Sequence, residues 1–220
     1  MPTEVEAKLR ADGPEPLERL AAIPTLGQAE LGPATTVEEI DTYLDTADGA
    51  FATARWACRL RAQNAVVTIS LKGAADGPES GGIHRRPEVE APATASRDPA
   101  DWPPSPARDL VDRLRGGNEL VERLTLRQLR TERAVTMGAA TIGTLSLDAV
   151  TVRVGDEERG RFHVVELELA ADTVDIADGE GGEGGEGGLA ELAQALAARR
   201  GLVPDRLTKL ERALELIGEL

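Results

Sequence analysis

The chain has 220 residues, a formal net charge of −14 and one cysteine. The excess of 39 acids over 25 bases argues against a general nucleic-acid or membrane-surface binder, and an aromatic content of 2% argues against a base-stacking platform. A lone Cys58 excludes a disulfide framework or a cysteine metal site.

At 41% hydrophobic residues the chain can bury a core, built from Leu, Val, Ile and Ala in place of aromatics. No run is long and apolar enough to cross a membrane. The N-terminus is charged where a signal peptide needs an apolar core, so the expected location is cytoplasmic.

Residues 3–10 alternate with a period of two and predict a strand. Pro14 to Ala22 predicts a short helix, with Leu17 and Leu20 on one side. Gln28 to Leu31, Thr36 to Thr46, Arg55 to Arg61 and Ala65 to Lys72 predict further strands, the last ending at Gly73. "GAADGPESGG" is a turn-rich loop before a strand from Ile83 to Ala91. An irregular Pro-rich stretch from Pro92 to Pro106 leads into a helix, "PARDLVDRL", closed by Gly116 and Gly117. Extended runs follow at Thr125 to Thr136, Thr144 to Arg153 and Arg161 to Ala170. "GEGGEGGEGG" at 179–188 is low-complexity and predicts a flexible loop, followed by helices from Leu189 to Arg200 and from Leu207 to Leu220. About eight strands with helices around them predict an α+β domain on an antiparallel barrel or sheet.

Alternation divides each strand into two faces. Glu4, Glu6, Lys8 and Arg10 share one face, opposite Val5, Ala7 and Leu9. Arg59 and Arg61 oppose Cys58 and Leu60; Lys72 follows Thr68 and Ser70; Arg86 precedes Glu88 and Glu90. Asp148 shares a face with Thr144 and Ser146, and Glu166 pairs with Glu168. The plainest reading of one such strand is a sheet with one wet face. Here acids and bases recur in i, i+2 pairs, about 7 Å apart, on strand after strand. A dry interior cannot hold so many charges, because removing each from water costs several kcal/mol. If the sheet closes, this face lines a wet tunnel and the apolar face points outward under helices. Clustered carboxylates suit hard divalent cations, and the bases Lys8, Arg59, Arg61, Lys72, Arg86 and Arg130 suit phosphate oxygens.

"EVEAKLR" (Glu4 to Arg10) resembles the ExExK signature of the CYTH family, the triphosphate tunnel metalloenzymes. In order along the chain, "YLDT", "WACRLR", "TISLKG", "RPEVE", "LRTERAV", "LSLDAV", "VELELA" and "LTKLERAL" resemble that family's later segments. The ordered set covers nearly the whole chain. The resemblance implies a single domain over 1–220: an eight-stranded antiparallel closed β-barrel forming a tunnel, with helices packed outside. It implies Mg²⁺ or Mn²⁺ held by Glu4, Glu6, Glu88, Glu90, Asp148, Glu166 and Glu168. It implies a phosphate chain cradled by Lys8, Arg59, Arg61, Lys72, Arg86, Arg130, Arg133 and Lys209, with Glu4, Glu6 and Lys8 closest to catalysis. Glu132 interrupts the basic strand, and Arg130 and Arg133 fall on opposite faces unless a bulge intervenes. The closing segment also resembles CYTH domains that precede a CHAD domain, a module linked with polyphosphate.

The expected activity is metal-dependent hydrolysis of inorganic triphosphate. A polyphosphate-binding module with little turnover is the alternative from another class; a triphosphatase or cyclase acting on ATP or thiamine triphosphate is the enzymatic one. Neither nucleic acid nor a membrane is an expected partner. Asp45 is expected to accept backbone hydrogen bonds, Cys58 to sit in the core, Trp102 to anchor a loop, and His84 and His163 to be structural.

Overall fold

The computed structural model describes residues 2–74, 82–170 and 186–220. Eight strands close into an antiparallel barrel: β1 (Thr3–Ala11), β4 (Thr35–Thr46), β5 (Trp56–Gln63), β6 (Val66–Gly73), β7 (Ile83–Pro92), β8 (Leu120–Met137), β9 (Ala140–Val154) and β10 (Glu157–Leu169). Their order around the wall is β1–β7–β6–β5–β4–β8–β9–β10 and back to β1. Closure removes every free edge from these eight strands. A small ribbon of β2 (Thr25–Leu26) and β3 (Ala29–Leu31) extends from β8. β11 (Leu202–Pro204) completes the pairing of β1 beyond the end of β7.

Helices cover two sides of the barrel. α1 (Glu15–Ala22) and α4 (Glu186–Ala197) lie over the outer faces of β1, β9 and β10, where Val5, Leu9, Leu167 and Leu196 are almost fully buried. α2 (Ala50–Thr53) and α3 (Pro106–Arg115) lie over β5 to β7, around Ile69, Leu71, Phe51 and Trp102. Ser105 caps α3 by accepting from the Arg108 backbone N–H at 3.2 Å, and Gly116 ends it in the left-handed conformation at φ +58°. Asp45 accepts from the backbone N–H groups of Thr46, Phe51 and Ala52 at 2.7, 2.9 and 3.1 Å, which ties the start of α2 to the end of β4. The Trp102 indole donates to the Ser96 carbonyl at 2.8 Å and anchors the Pro-rich loop. Cys58 is buried in the outer core, as its neighbours Trp56 and Leu60 suggest.

Two features depart from the sequence reading. The low-complexity loop is shorter at its C-terminal end, because α4 begins at Glu186; residues 179–185, like 75–81 of the other loop, lie outside the described residues. The barrel interior is also not charged throughout. Leu124, Leu126, Val150, Val152, Phe162 and Val164 share the inward parity of Arg130, Asp148 and Glu166. They form an apolar floor with Tyr43, on which α5 (Lys209–Ile217) seats Ala213, Leu210 and Leu214. The charged face therefore occupies only part of the lumen.

Candidate active site

The charged part of the lumen encloses a cavity of about 130 Å³. Arg59 and Arg61 reach it from β5, Lys72 from β6, Arg86 from β7, Lys8 from β1 and Arg130 from β8. Lys209 enters from the first turn of α5. Thr208 caps that turn: its hydroxyl accepts from the Glu211 N–H at 3.1 Å, while Glu211 accepts from the Thr208 N–H at 2.8 Å. A lysine at a helix N-terminus opposes the helix dipole. Two carboxylates outweigh this, since Lys209 Nζ donates to Asp148 at 2.6 Å and to Glu166 at 2.7 Å.

Every inward base meets an acid. Lys72 donates to Glu4 at 2.5 Å, and Arg86 donates to Glu6 at 2.7 Å and Glu4 at 3.3 Å. Lys8 lies 3.1 Å from Glu6 and 3.2 Å from Glu166. Arg130 forks onto Asp148 at 2.8 and 2.9 Å and reaches Glu166 at 3.2 Å. Gly82 supports this arrangement from behind. Its carbonyl accepts from the Lys8 N–H at 2.7 Å, and its φ of +80° and close contact with β1 leave no room for a side chain.

Burial pushes the Glu6 carboxyl up, but Lys8, Arg86 and Lys72 pull it down to about 2. Burial likewise opposes ionisation of Glu166, yet Lys209, Lys8 and Arg130 hold it well below the usual carboxylate range. Lys8 is lowered by burial and raised further by Glu6 and Glu166, so it stays charged. Glu168 behaves differently. Desolvation, then the neighbouring Glu4, Glu6 and Glu88, push it up to about 7. The β1–β10 register sets Glu168 directly opposite Glu6, and like charges in that position repel.

The metal-free protein should therefore lose stability as pH rises from the ordinary glutamate value of 4.5 towards about 7. In that window the folded state holds a proton that the unfolded state has released, so the folded state loses ground with rising pH. Denaturant midpoints measured in chelator across this range should fall for the wild type relative to Glu168→Gln, in which His163, lowered by burial, acts alike. Parallel curves would rule the effect out.

The structure brings all the sequence-predicted bases except Arg133 to one lumen. Glu4, Glu88, Glu90, Glu166 and Glu168 line the same cavity, and Glu6 and Asp148 lie just behind it, buried against the bases. Arg133 is corrected. No bulge separates it from Arg130, so it faces outward. There its guanidinium donates to the carbonyls of Leu20, Ala21 and Ile23 at the end of α1, and to those of Leu31 and Gly32. It satisfies helix-terminal acceptors and contacts no lumen residue. Arg10, placed on the charged face by parity, is exposed beyond it. His84 is fully buried with Nε2 2.9 Å from the Asp205 carbonyl oxygen, and His163 is half-buried on the outside, consistent with structural roles.

Sequence reasoning missed Glu39, Asp41 and Gln128, all buried on the inner face. The signal was present: "EEIDTY" alternates Glu39, Asp41 and Tyr43, and Gln128 precedes Arg130 by two.

With these included, the bases Lys8, Arg59, Arg61, Lys72, Arg86, Arg130 and Lys209 face the acids Glu4, Glu6, Glu39, Asp41, Glu88, Glu90, Asp148, Glu166 and Glu168. The acids outnumber the bases by two (nine less seven), counting each named group.

The oxygen-only donor set and the opposed Glu6–Glu168 pair fit a hard divalent cation. Among the described residues no three acids already converge into a cage, because bases hold them. Two buried lumen donors, Arg59 Nε and Arg86 Nε, have no acceptor among the described residues, as suits an anion arriving from outside.

A closed barrel with a charged, part-filled lumen is a tunnel architecture. The chain belongs to the CYTH domain family, whose model matches residues 2–183. No curated protein matches significantly. Among solved structures, it is similar to a putative adenylyl cyclase of Hippeastrum, described as having a dominant triphosphatase activity. That pair is 21% identical, with 99% of this chain and 97% of the other covered and a TM-score of 0.67. A putative adenylate cyclase of Bacillus halodurans is 18% identical, with 96% and 98% covered and a TM-score of 0.58. A protein of Pyrococcus horikoshii is 20% identical, with the same coverage of 96% and 98% and a TM-score of 0.54. Among the described residues, no helix is long and apolar enough to cross a membrane.

Proposed function

We propose that this protein hydrolyses inorganic triphosphate with Mg²⁺ or Mn²⁺. One observation carries the reading: among the described residues, the seven lumen bases named above face nine named acids, an excess of negative charge. The bases call for a polyanion, and the acid excess calls for cations to come with it. A metal-complexed phosphate chain supplies both charges at once. Arg59, Arg61, Lys72, Arg86, Arg130 and Lys209 hold the phosphates, with Lys8 beside them. Glu4, Glu6 and Glu168 are the ligands best placed for metal, with Glu88, Glu90 and Glu166 around them. Asp148 belongs to the same acid set, but its oxygens are engaged by Arg130 and Lys209. The metal, when bound, neutralises charge on the phosphate oxygens as the anhydride bond breaks. The chain's own groups position the substrate, and Lys8 stays protonated beside the charge that develops.

The cavity is smaller than the ~300–1,000 Å³ of typical organic-ligand sites, and Tyr43 is the one aromatic residue lining it. That favours a bare phosphate chain over ATP or thiamine triphosphate. The Hippeastrum relative described as a dominant triphosphatase supports triphosphate hydrolysis in general. Phosphate release from tripolyphosphate, ATP and thiamine triphosphate, each with Mg²⁺ and with Mn²⁺, tests it. Tripolyphosphate should be turned over fastest. Tight binding without turnover under either metal would leave a polyphosphate-binding module; faster release from ATP or thiamine triphosphate would point to an organic substrate.

A further inference from the structure

The wall formed by β4, β5 and β8 holds a carboxylate that neither the metal nor the phosphate role uses. Asp41 is fully buried. Its oxygens accept from Arg61 Nε at 2.7 Å and Arg61 NH2 at 2.8 Å, from Arg59 NH1 at 3.2 Å, and from Gln128 Nε2 at 2.9 Å. Oδ2 takes three of these bonds and Oδ1 the fourth, so both oxygens are already engaged by the chain's own donors. Its partners are fixed elsewhere too. Glu39 lies 3.3 Å from Arg61 and accepts from Gln63 at 2.9 Å, which braces the pair from its far side. Arg59 meanwhile lines the cavity, and its buried Nε has no acceptor among the described residues.

We infer that Asp41 is a positioning residue that locks Arg59 and Arg61 into one preorganised pair of guanidinium forks, so that the anion meets a wall already in place. This rests on the polyphosphate reading above. Without Asp41 the two long side chains would have to be ordered as the ligand binds, and affinity would fall. The plainer role, a counter-ion needed only for folding, predicts a different pattern. It weakens everything the lumen binds, and it does so independently of the two arginines.

Asp41→Asn keeps the volume and puts a donor where an acceptor was. Calorimetric titration uses the full chain, well below its melting temperature, with a non-hydrolysable imido analogue of tripolyphosphate in Mn²⁺, and with Mn²⁺ alone. The analogue should bind about tenfold more weakly, with Mn²⁺ affinity unchanged, and the loss should vanish in an Arg59→Ala/Arg61→Ala background. An equal loss in that background, or a parallel loss of Mn²⁺ affinity, would overturn the positioning role. If Asp41→Asn does not fold, Gln128→Met removes one supporting donor and should weaken the analogue roughly two- to fivefold; unchanged affinity there would also overturn it. Wild-type binding of the analogue, with no turnover of tripolyphosphate, would remove the hydrolase reading and leave the Asp41 role standing. Absence of wild-type binding would overturn both.

Discussion

Replacing Glu6 by Gln should lower tripolyphosphate turnover by about 10²-fold or more, at saturating Mg²⁺ and unchanged fold. The substitution keeps the shape and removes the charge. Glu6 is 2% exposed, accepts from Arg86 at 2.7 Å and lies 3.1 Å from Lys8. It remains ionised to about 2, so it is a full negative charge at any pH near neutrality. Directly across the β1–β10 pair sits Glu168, the partner with which it would hold a cation. Glutamine offers a weaker donor oxygen to the metal and leaves Lys8 and Arg86 sharing less negative charge. Steady-state phosphate release, with circular dichroism as the fold control, reads the effect. Turnover within about fivefold of wild type would remove Glu6 from the metal set.

Removing Asp148 should act on stability most of all. Asp148 is fully buried and takes Arg130 through two bonds and Lys209 through a third. Asp148→Ala leaves two buried cations sharing Glu166, with Glu39 3.5 Å from Arg130 as a weaker second partner. Breaking one side of a buried ion network costs about 3–5 kcal/mol. For a chain of this size that corresponds to a drop in melting temperature of roughly 6–20 °C. Asp148→Asn should fall between the two, because it keeps one acceptor oxygen. A melting temperature within about 2 °C of wild type would show that Asp148 is not the keystone of this cluster.

Much of this was legible in the chain because a strand has a side-chain period of two. "EVEAKLR", "RPEVE" and "VELEL" each place their acids on one face, and β1, β7 and β10 present them to one lumen. Alternation says which residues share a face, but not whether the sheet closes. Closure depends on β8 pairing with β4 and on β1 pairing with β10, contacts between residues far apart in the chain. The ordered resemblance to the CYTH family supplied that step. Parity also misled in one respect. Phe162, Val164, Val150 and Val152 lie on the inner face with Glu166 and Asp148, yet they are apolar, because α5 closes that part of the lumen. Arg133 was drawn in by its nearness to Arg130, although an odd spacing with no bulge between the two sends it outward to cap α1. The short elements α2, β2 and β11 hold too few residues for any period to register.

One lumen is proposed to hold metal on its β1–β10 wall and phosphates on its basic wall. Anomalous scattering from crystals grown with Mn²⁺ and the imido analogue of tripolyphosphate tests it most directly. The account predicts an Mn²⁺ peak within ligand distance of Glu4, Glu6 or Glu168, with phosphate density against Arg59, Arg61 and Arg130. Mn²⁺ bound only at the surface, with Glu4 and Glu6 still paired to Lys72 and Arg86, would contradict it.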